Sequence, residues 1–364
     1  MKVAVGLSGG VDSAVSALLL QAQGYEVVGI TMKLWNGKYK GGERDACFGK
    51  GEEGDIESAG RLAAQLKIPY HVYDCSAEYD RTIIDYFRRT YLKGDTPNPC
   101  VFCNGLMKFG LLPELARRSG LDFEKFATGH YARVIHNEAT GRYELHRAVD
   151  EGKDQSYFLY RLTQEQLSRQ LFPMGDMTKA QVRAIAREHN LPMADKPDSQ
   201  DFYSGDVAEL LGRPDEEGNI VTLDGKVLGR HRGFWHYTVG QRKGLGIGGG
   251  TPYYVVRLDA CRNEVVVGFE HDVKKTSLDC ANLNWVSMAE PEPGKATPCT
   301  LKVRSAGAPK GPAEFELKDD KTTITARFPE GLSGVAPGQS AVFYADTKVL
   351  AGGVIARAGG KDTP

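Results

Sequence analysis

The chain has 364 residues, 41 % of them hydrophobic and 26 % charged, and a formal net charge of −1. That composition belongs to a globular chain with a real core, too long for one ordinary domain, so two or three are expected. Its apolar runs are short, Leu18-Leu19-Leu20 for example, which excludes a helical membrane span. The opening Lys2–Leu7 is strand-like, with no apolar run before a cleavage site, so a cytoplasmic location is expected. The seven cysteines are then not expected to form a disulfide framework, and their spacing becomes the informative property.

In chain order, Lys2–Leu7 predicts a buried strand, Val11–Gln23 a helix closed by Gly24, and Val27–Met32 a second strand. Asp55–Leu66 predicts a helix with Ile56, Ala59, Leu62, Ala63 and Leu66 on one face. His71–Asp74 follows as a strand, then helices over Tyr79–Tyr91 and Asn104–Arg118, then a strand over Phe126–Ala132. This alternation implies a doubly wound parallel sheet. A hairpin is expected over Arg133–Ala148, turning near Ala139-Thr140-Gly141. Helices are expected over Thr163–Leu171 and Lys179–His189, the second capped by Thr178. The α/β pattern ends in a loop over Met193–Gly205.

From about Ile220 the texture changes to short strands: Tyr253–Leu258, Glu264–Phe269, Thr300–Arg304, Thr322–Phe328 and Ser340–Tyr344. These suggest small barrels. The expected domains are residues 1–205, 206–275 and 276–364, with the last few residues frayed.

The strongest local signal is Gly6-Leu7-Ser8-Gly9-Gly10-Val11-Asp12-Ser13, between the first strand and the first helix. Small residues there let backbone amides approach a phosphate, and the helix N-terminus adds partial positive charge. The run lacks the Gly-Lys-Ser/Thr ending of a Walker A loop and the spacing of a dinucleotide fingerprint. The Ser-Gly-Gly-Val-Asp-Ser string resembles the PP-loop of N-type ATP pyrophosphatases. That resemblance implies a PP-loop ATPase domain that cleaves ATP between its α and β phosphates, with Asp12 on the magnesium side.

Further strings narrow the likeness. They are Thr96-Pro97-Asn98-Pro99-Cys100-Val101-Phe102-Cys103-Asn104, Ala127-Thr128-Gly129-His130-Tyr131, Lys153-Asp154-Gln155-Ser156-Tyr157-Phe158-Leu159-Tyr160, Gly240-Gln241-Arg242-Lys243-Gly244-Leu245-Gly246 and Pro337-Gly338-Gln339-Ser340-Ala341-Val342-Phe343-Tyr344. Together with the PP-loop, and in this order, they resemble the tRNA-specific 2-thiouridylase family over nearly the whole chain. The resemblance implies an α/β catalytic domain, a small central domain and a C-terminal β-barrel. It implies transfer of sulfur to the wobble uridine of tRNAs for Lys, Glu and Gln through an adenylated base, with ATP and Mg2+ consumed. Gly6, Leu7, Ser8, Gly9, Gly10, Val11, Asp12, Ser13, Met32 and Gly129 would contact ATP. Asn98, Pro99 and Cys100 would sit near the target base. His130, Lys153, Asp154, Gln155, Arg304 and Gln339 would contact tRNA, and Cys103 would be the reactive cysteine.

The residues themselves support parts of this. Cys103 precedes the helix expected over Asn104–Arg118, and a helix N-terminus lowers a thiol pKa. Lys226–Lys243 carries Lys226, Arg230, Arg232, Arg242 and Lys243 with Phe234, Trp235 and Tyr237 and no acidic residue. That mixture suits phosphate and base contacts, or a solvated basic face over a β core.

One departure stands out. The family's second cysteine is expected a few residues after an Asp-Ser pair, and here Lys196-Pro197-Asp198-Ser199-Gln200-Asp201-Phe202-Tyr203 places Tyr203 there. A tyrosine cannot carry a persulfide. Cys100 and Cys103 form a Cys-x-x-Cys pair, and Cys47 follows the second strand, at the ligand edge of the sheet. The three could hold an iron–sulfur cluster of the 4Fe–4S kind with one iron open to sulfide. A redox pair, half a zinc site, a persulfide on Cys100 or Cys103, and Cys47 as a small core residue remain the other readings. So do a catalytically inactive tRNA-binding or sulfur-trafficking protein, and a PP-loop ligase for a small molecule. The sulfur donor, sulfide or a persulfide carrier, is left open.

Overall fold

The computed structural model describes residues 1–41, 46–195, 201–248 and 250–359, and for Asp201 the backbone alone. The 196–200 segment before Tyr203, and the terminal residues expected to fray beyond 359, lie outside the described residues.

The N-terminal sheet is parallel, in the order Tyr70–Asp74, Glu26–Lys33, Lys2–Gly6, Lys125–Ala127, Gln170–Leu171. Strand period decides which helices lie where. Val3, Val5 and Val27 point into a core with helices Val11–Ala22, Glu52–Leu66 and Lys179–Glu188. Ala4, Val28 and Ile30 point to the opposite face, against Val101, Phe109 and Leu112. A sheet covered on both faces reads as a nearly continuous apolar run, which is how Lys2–Leu7 reads.

Three expected elements break differently. The strand expected over Phe126–Ala132 is two, Lys125–Ala127 and Ala132–Asn137. Residues 128–131 leave the sheet between them. The helix expected to Leu171 stops at Ser168, and Gln170–Leu171 becomes the sheet's edge strand. The helix expected from Asn104 starts at Pro99, turns π-helical over Cys103–Leu111, and returns to α over Leu112–Arg118.

The central unit is a four-stranded sheet ordered Val227–His231, Gly218–Thr222, Glu264–Gly268, Tyr254–Asp259. The C-terminal unit is a closed barrel of six strands, ordered Lys275–Trp285, Ile324–Leu332, Lys310–Leu317, Thr297–Lys302, Ser340–Ala345 and Lys348–Gly359. The first and last pair to close it. Closure removes the exposed edges an open sheet would have.

The predicted hairpin forms as Ala132–Asn137 and Arg142–Arg147, but it extends the barrel's sheet, where His146 pairs with Lys348. The same junction holds a buried ion triad. Asp154 Oδ2 lies 3.4 Å from Arg147 Nε and 3.7 Å from Lys302 Nζ. Replacing Asp154 with alanine would strand the buried Lys302 and leave Arg147 only the exposed Glu151, at 3.6 Å. A broken buried pair costs about 3–5 kcal/mol, so urea unfolding of the variant is expected to show a loss of that order. An unchanged midpoint would contradict the triad's role.

Candidate active site

The loop over residues 7–10 runs from the first strand into the helix Val11–Ala22. Gly9 sits at φ +70, and a Cβ there would meet the Asp55 carbonyl oxygen at 2.6 Å, so only glycine fits. Gly10 is the N-cap and makes no side-chain capping bond. The helix therefore presents its N-terminal amides and positive dipole end to the loop's concavity. Ser13 Oγ accepts from the Ser8 amide at 3.2 Å, lies 3.2 Å from Ser8 Oγ, and donates to the Gly10 carbonyl at 3.0 Å. Leu7 is pinned to the neighbouring strand by its amide on the Ile30 carbonyl (2.9 Å) and by Thr31 Oγ1 donating to its carbonyl (2.6 Å). Met32 lies farther along that strand, half-buried.

Gly129 closes the other wall. A Cβ there would lie 2.7 Å from Asp12 C and from Ser13 N. This close approach draws residues 128–131 out of the sheet. The Asp12 carboxylate accepts from Tyr131 OH at 2.9 Å and, through both oxygens, from Lys179 Nζ at 2.8 Å. Tyr131 and Lys179 are both buried. Sequence reasoning missed the role of each. Lys179 read as an ordinary first helical residue after the Thr178 cap, and nothing in its spacing points to Asp12. Asp12, expected on the magnesium side, thus holds an ammonium and a phenol.

The cysteines lie beyond this loop. Asn98 is the N-cap and Pro99 the first residue of the helix, where proline's missing N–H costs nothing. Cys103 is therefore inside a helix, not at its N-terminus, and the expected lowering of its pKa is overturned. Burial pushes the Cys103 thiol up to about 11 and the Cys100 thiol up to about 12, with Lys108 pulling each down in part. Both thiols are protonated near neutral pH. Alkylation of Cys103 by iodoacetamide, followed by peptide mass spectrometry, should rise about tenfold per pH unit from pH 7 to pH 10. A plateau near pH 8 would contradict this.

Cys47 is exposed in the short strand Ala46–Phe48, which pairs in parallel with Asp201–Tyr203. Ala46 lies opposite Asp201 and Phe48 opposite Tyr203, so Cys47 stands beside the segment where the family's second cysteine is expected. It is near enough to Cys100 and Cys103 to bear on both thiols' ionisation. Tyr203 OH donates to Glu209 and accepts from the Gly41 amide.

The expected three-cysteine metal site finds no support. Among the described residues, no group of three or more His, Cys, Asp or Glu side chains is arranged to hold a metal ion. Cys100 and Cys103 are half-buried, while Cys47 is exposed and lies close enough to act on both. Beside the pair, Phe102 stacks on Tyr86 with ring centroids 4.0 Å apart, and Arg161 lies 4.5 Å from the Phe102 centroid.

Residues 1–203 match a tRNA methyl transferase HUP domain, 210–269 a tRNA methyl transferase PRC-barrel domain, and 275–355 an aminomethyltransferase beta-barrel domain. The tRNA-specific 2-thiouridylase MnmA of Endomicrobium trichonymphae is 47 % identical over 360 residues, covering 98 % of this chain and 99 % of that protein. The chain belongs to the tRNA-specific 2-thiouridylase family. The MnmA of Gloeothece citriformis is 44 % identical over 360 residues, covering 97 % and 99 % of the two chains. Among solved structures, a 4-thiouridine synthetase–RNA complex with bound ATP is 14 % identical with a TM-score of 0.36. It covers 58 % of this chain and 46 % of that one.

In this 2-thiouridylase-family chain, the residues expected at tRNA are differently engaged. Arg304 is exposed. His130 is half-buried between Phe109 and Phe172, with Nδ1 2.8 Å from Thr128 Oγ1; burial holds its pKa well below the usual histidine value. Lys153 lies in the turn before Asp154. Asp154 is buried in the ion triad, and Gln155 Oε1 accepts from the Tyr131 amide at 2.9 Å. Gln339, from the barrel, donates to the Pro97 carbonyl at 2.9 Å and the Thr96 carbonyl at 3.3 Å, holding the turn that leads to Asn98.

The basic stretch 226–243 is less available than its composition suggested. Phe234 and Trp235 are buried in the central core. Arg230 pairs with Glu217 at 2.9 Å, and Arg232 with Asp215 at 3.2 Å. Gly218 pairs with His231 in the ladder, which brings the acidic run just before it alongside these arginines.

Proposed function

We propose that this enzyme converts the wobble uridine of tRNAs for Lys, Glu and Gln to 2-thiouridine. Uridine O2 attacks the α-phosphorus of ATP, and pyrophosphate leaves towards the loop of residues 6–13. The adenylated carbon then takes up sulfur, and AMP departs with the former O2. The observation that carries this reading is the uncapped helix N-terminus behind a left-handed Gly9, walled by Gly129. Backbone dipoles so fixed stabilise the charge that develops on a departing pyrophosphate. Magnesium enters as the counter-ion of ATP, where it would offset phosphate charge.

Sulfur is carried to the base by Cys103 as a persulfide, whose outer sulfur attacks the adenylated C2 and expels AMP. The Cys100 thiol then attacks the Cys103 sulfur and breaks the S–S bond. This leaves sulfur on C2 and forms a Cys100–Cys103 disulfide that an external thiol reduces between turnovers. Cys47 stands in place of the family's second thiol. Among the described residues no group of three or more His, Cys, Asp or Glu side chains is arranged to hold a metal ion, which favours a persulfide over an iron–sulfur centre. A neutral, half-buried Cys103 thiol is a weak nucleophile, which suits a carrier loaded by transfer of sulfane sulfur from a persulfide donor better than a direct attacker. The base leaves its stack to reach this site, as other base-modifying enzymes require, and the Phe102–Tyr86–Arg161 stack offers it a platform. Arg304, Lys153 and His130 touch the tRNA directly. Asp154, Gln155 and Gln339 act by fixing the surface they belong to.

The test is incubation of the purified protein with ATP, magnesium, a persulfide donor, a thiol reductant and unmodified tRNA, followed by nucleoside mass spectrometry. The expected product is 2-thiouridine, with AMP and pyrophosphate. tRNA binding with no nucleotide cleavage would instead identify a non-catalytic tRNA-binding protein.

A further inference from the structure

A triphosphate carries several negative charges, and loops that grip one commonly bring a lysine of their own. Residues 6–13 contain no lysine or arginine. The fold supplies the missing charge from far along the chain: Lys179, 167 residues after Asp12, opens the helix Lys179–Glu188. Three features fix its direction. Thr178 caps that helix in a reciprocal capping box with Gln181, and Asp150 Oδ2 accepts from the Lys179 amide at 2.9 Å. Its Nζ lies 5.8 Å from the Tyr131 ring centroid and 2.8 Å from both Asp12 oxygens. The side chain is buried, so its length leads inward to the loop and not to solvent.

We propose that Lys179 is the phosphate-neutralising cation of this ATP site, held at the mouth of the loop by Asp12 and Tyr131. This rests on the reading that residues 6–13 bind ATP. Asp12 then acts as a positioning residue for the ammonium, and the pair forms a preset polar surface that the polyphosphate of ATP meets on entry. A lysine so placed supplies at the leaving pyrophosphate the charge that the glycine-rich loop lacks.

The test is calorimetric binding of ATP and of inorganic pyrophosphate, without tRNA, to the full-length protein. Lys179→Met should weaken both by about tenfold or more, while Lys179→Arg stays within about threefold of the parent. Because Lys179→Met leaves Asp12 unpaired in a partly buried site, the double variant Lys179→Met/Asp12→Asn provides the control for folding. It should unfold like the parent and still bind ATP weakly. Filter-binding affinity for tRNA should be unchanged throughout. Parent-like ATP affinity in Lys179→Met, or its recovery in the double variant, would overturn the assignment. A parent protein that binds no ATP would instead refute the underlying reading of the loop.

Discussion

Gly129→Ala is expected to cut tRNA-dependent pyrophosphate release by about 100-fold, the scale on which a shift near 1 Å at a catalytic group acts. The added methyl would lie 2.7 Å from two backbone atoms of the first helical turn, Asp12 C and Ser13 N. Backbone cannot swing aside as a flexible side chain does, so the whole turn must move by several tenths of an ångström. That turn carries Ser13 and the Asp12–Lys179 pair, and these would shift together. Overpacking of this kind costs about 1–3 kcal/mol, so the melting temperature should fall as well. Steady-state pyrophosphate release and thermal unfolding on one preparation check both, and parent-like turnover would contradict the close packing of Gly129 on the loop.

Cys103→Ser is expected to separate the two halves of the reaction. 2-Thiouridine formation should fall by on the order of 1,000-fold or more, the scale for removing a group that forms a covalent bond. Pyrophosphate release on tRNA should stay within a few-fold, because Cys103 is carried by a different element from the loop of residues 6–13. Serine keeps the size of the thiol, and the helix starting at Pro99 does not depend on it. Rapid-quench assay of AMP-tRNA would then show the adenylated base accumulating. Loss of both activities together would mean that Cys103 shapes the adenylation site as well.

The phosphate loop was legible because its chemistry is local: small residues between one strand and one helix, with the alternation of Val3, Ala4 and Val5 placing that strand inside a doubly covered sheet. The start of the helix at Pro99 was also legible in principle. Asn98 as cap and Pro99 as first helical residue are an ordinary helix opening, but starting the helix at Asn104 put Cys103 at a helix end it does not occupy. Other features depend on pairings that no local pattern records. The hairpin over Ala132–Asn137 and Arg142–Arg147 finds its partner at Lys348, and Lys179 finds Asp12 across the fold. Composition misled at 226–243, since the acids that neutralise Arg230 and Arg232 lie outside the stretch.

The transfer of the uridine oxygen can be followed directly. With tRNA carrying oxygen-18 at the C2 carbonyl of its wobble uridine, a single turnover with unlabelled ATP should release AMP heavier by one oxygen-18, together with unlabelled pyrophosphate. Unlabelled AMP beside thiolated tRNA, or ADP and phosphate in place of AMP and pyrophosphate, would contradict adenylation of the base.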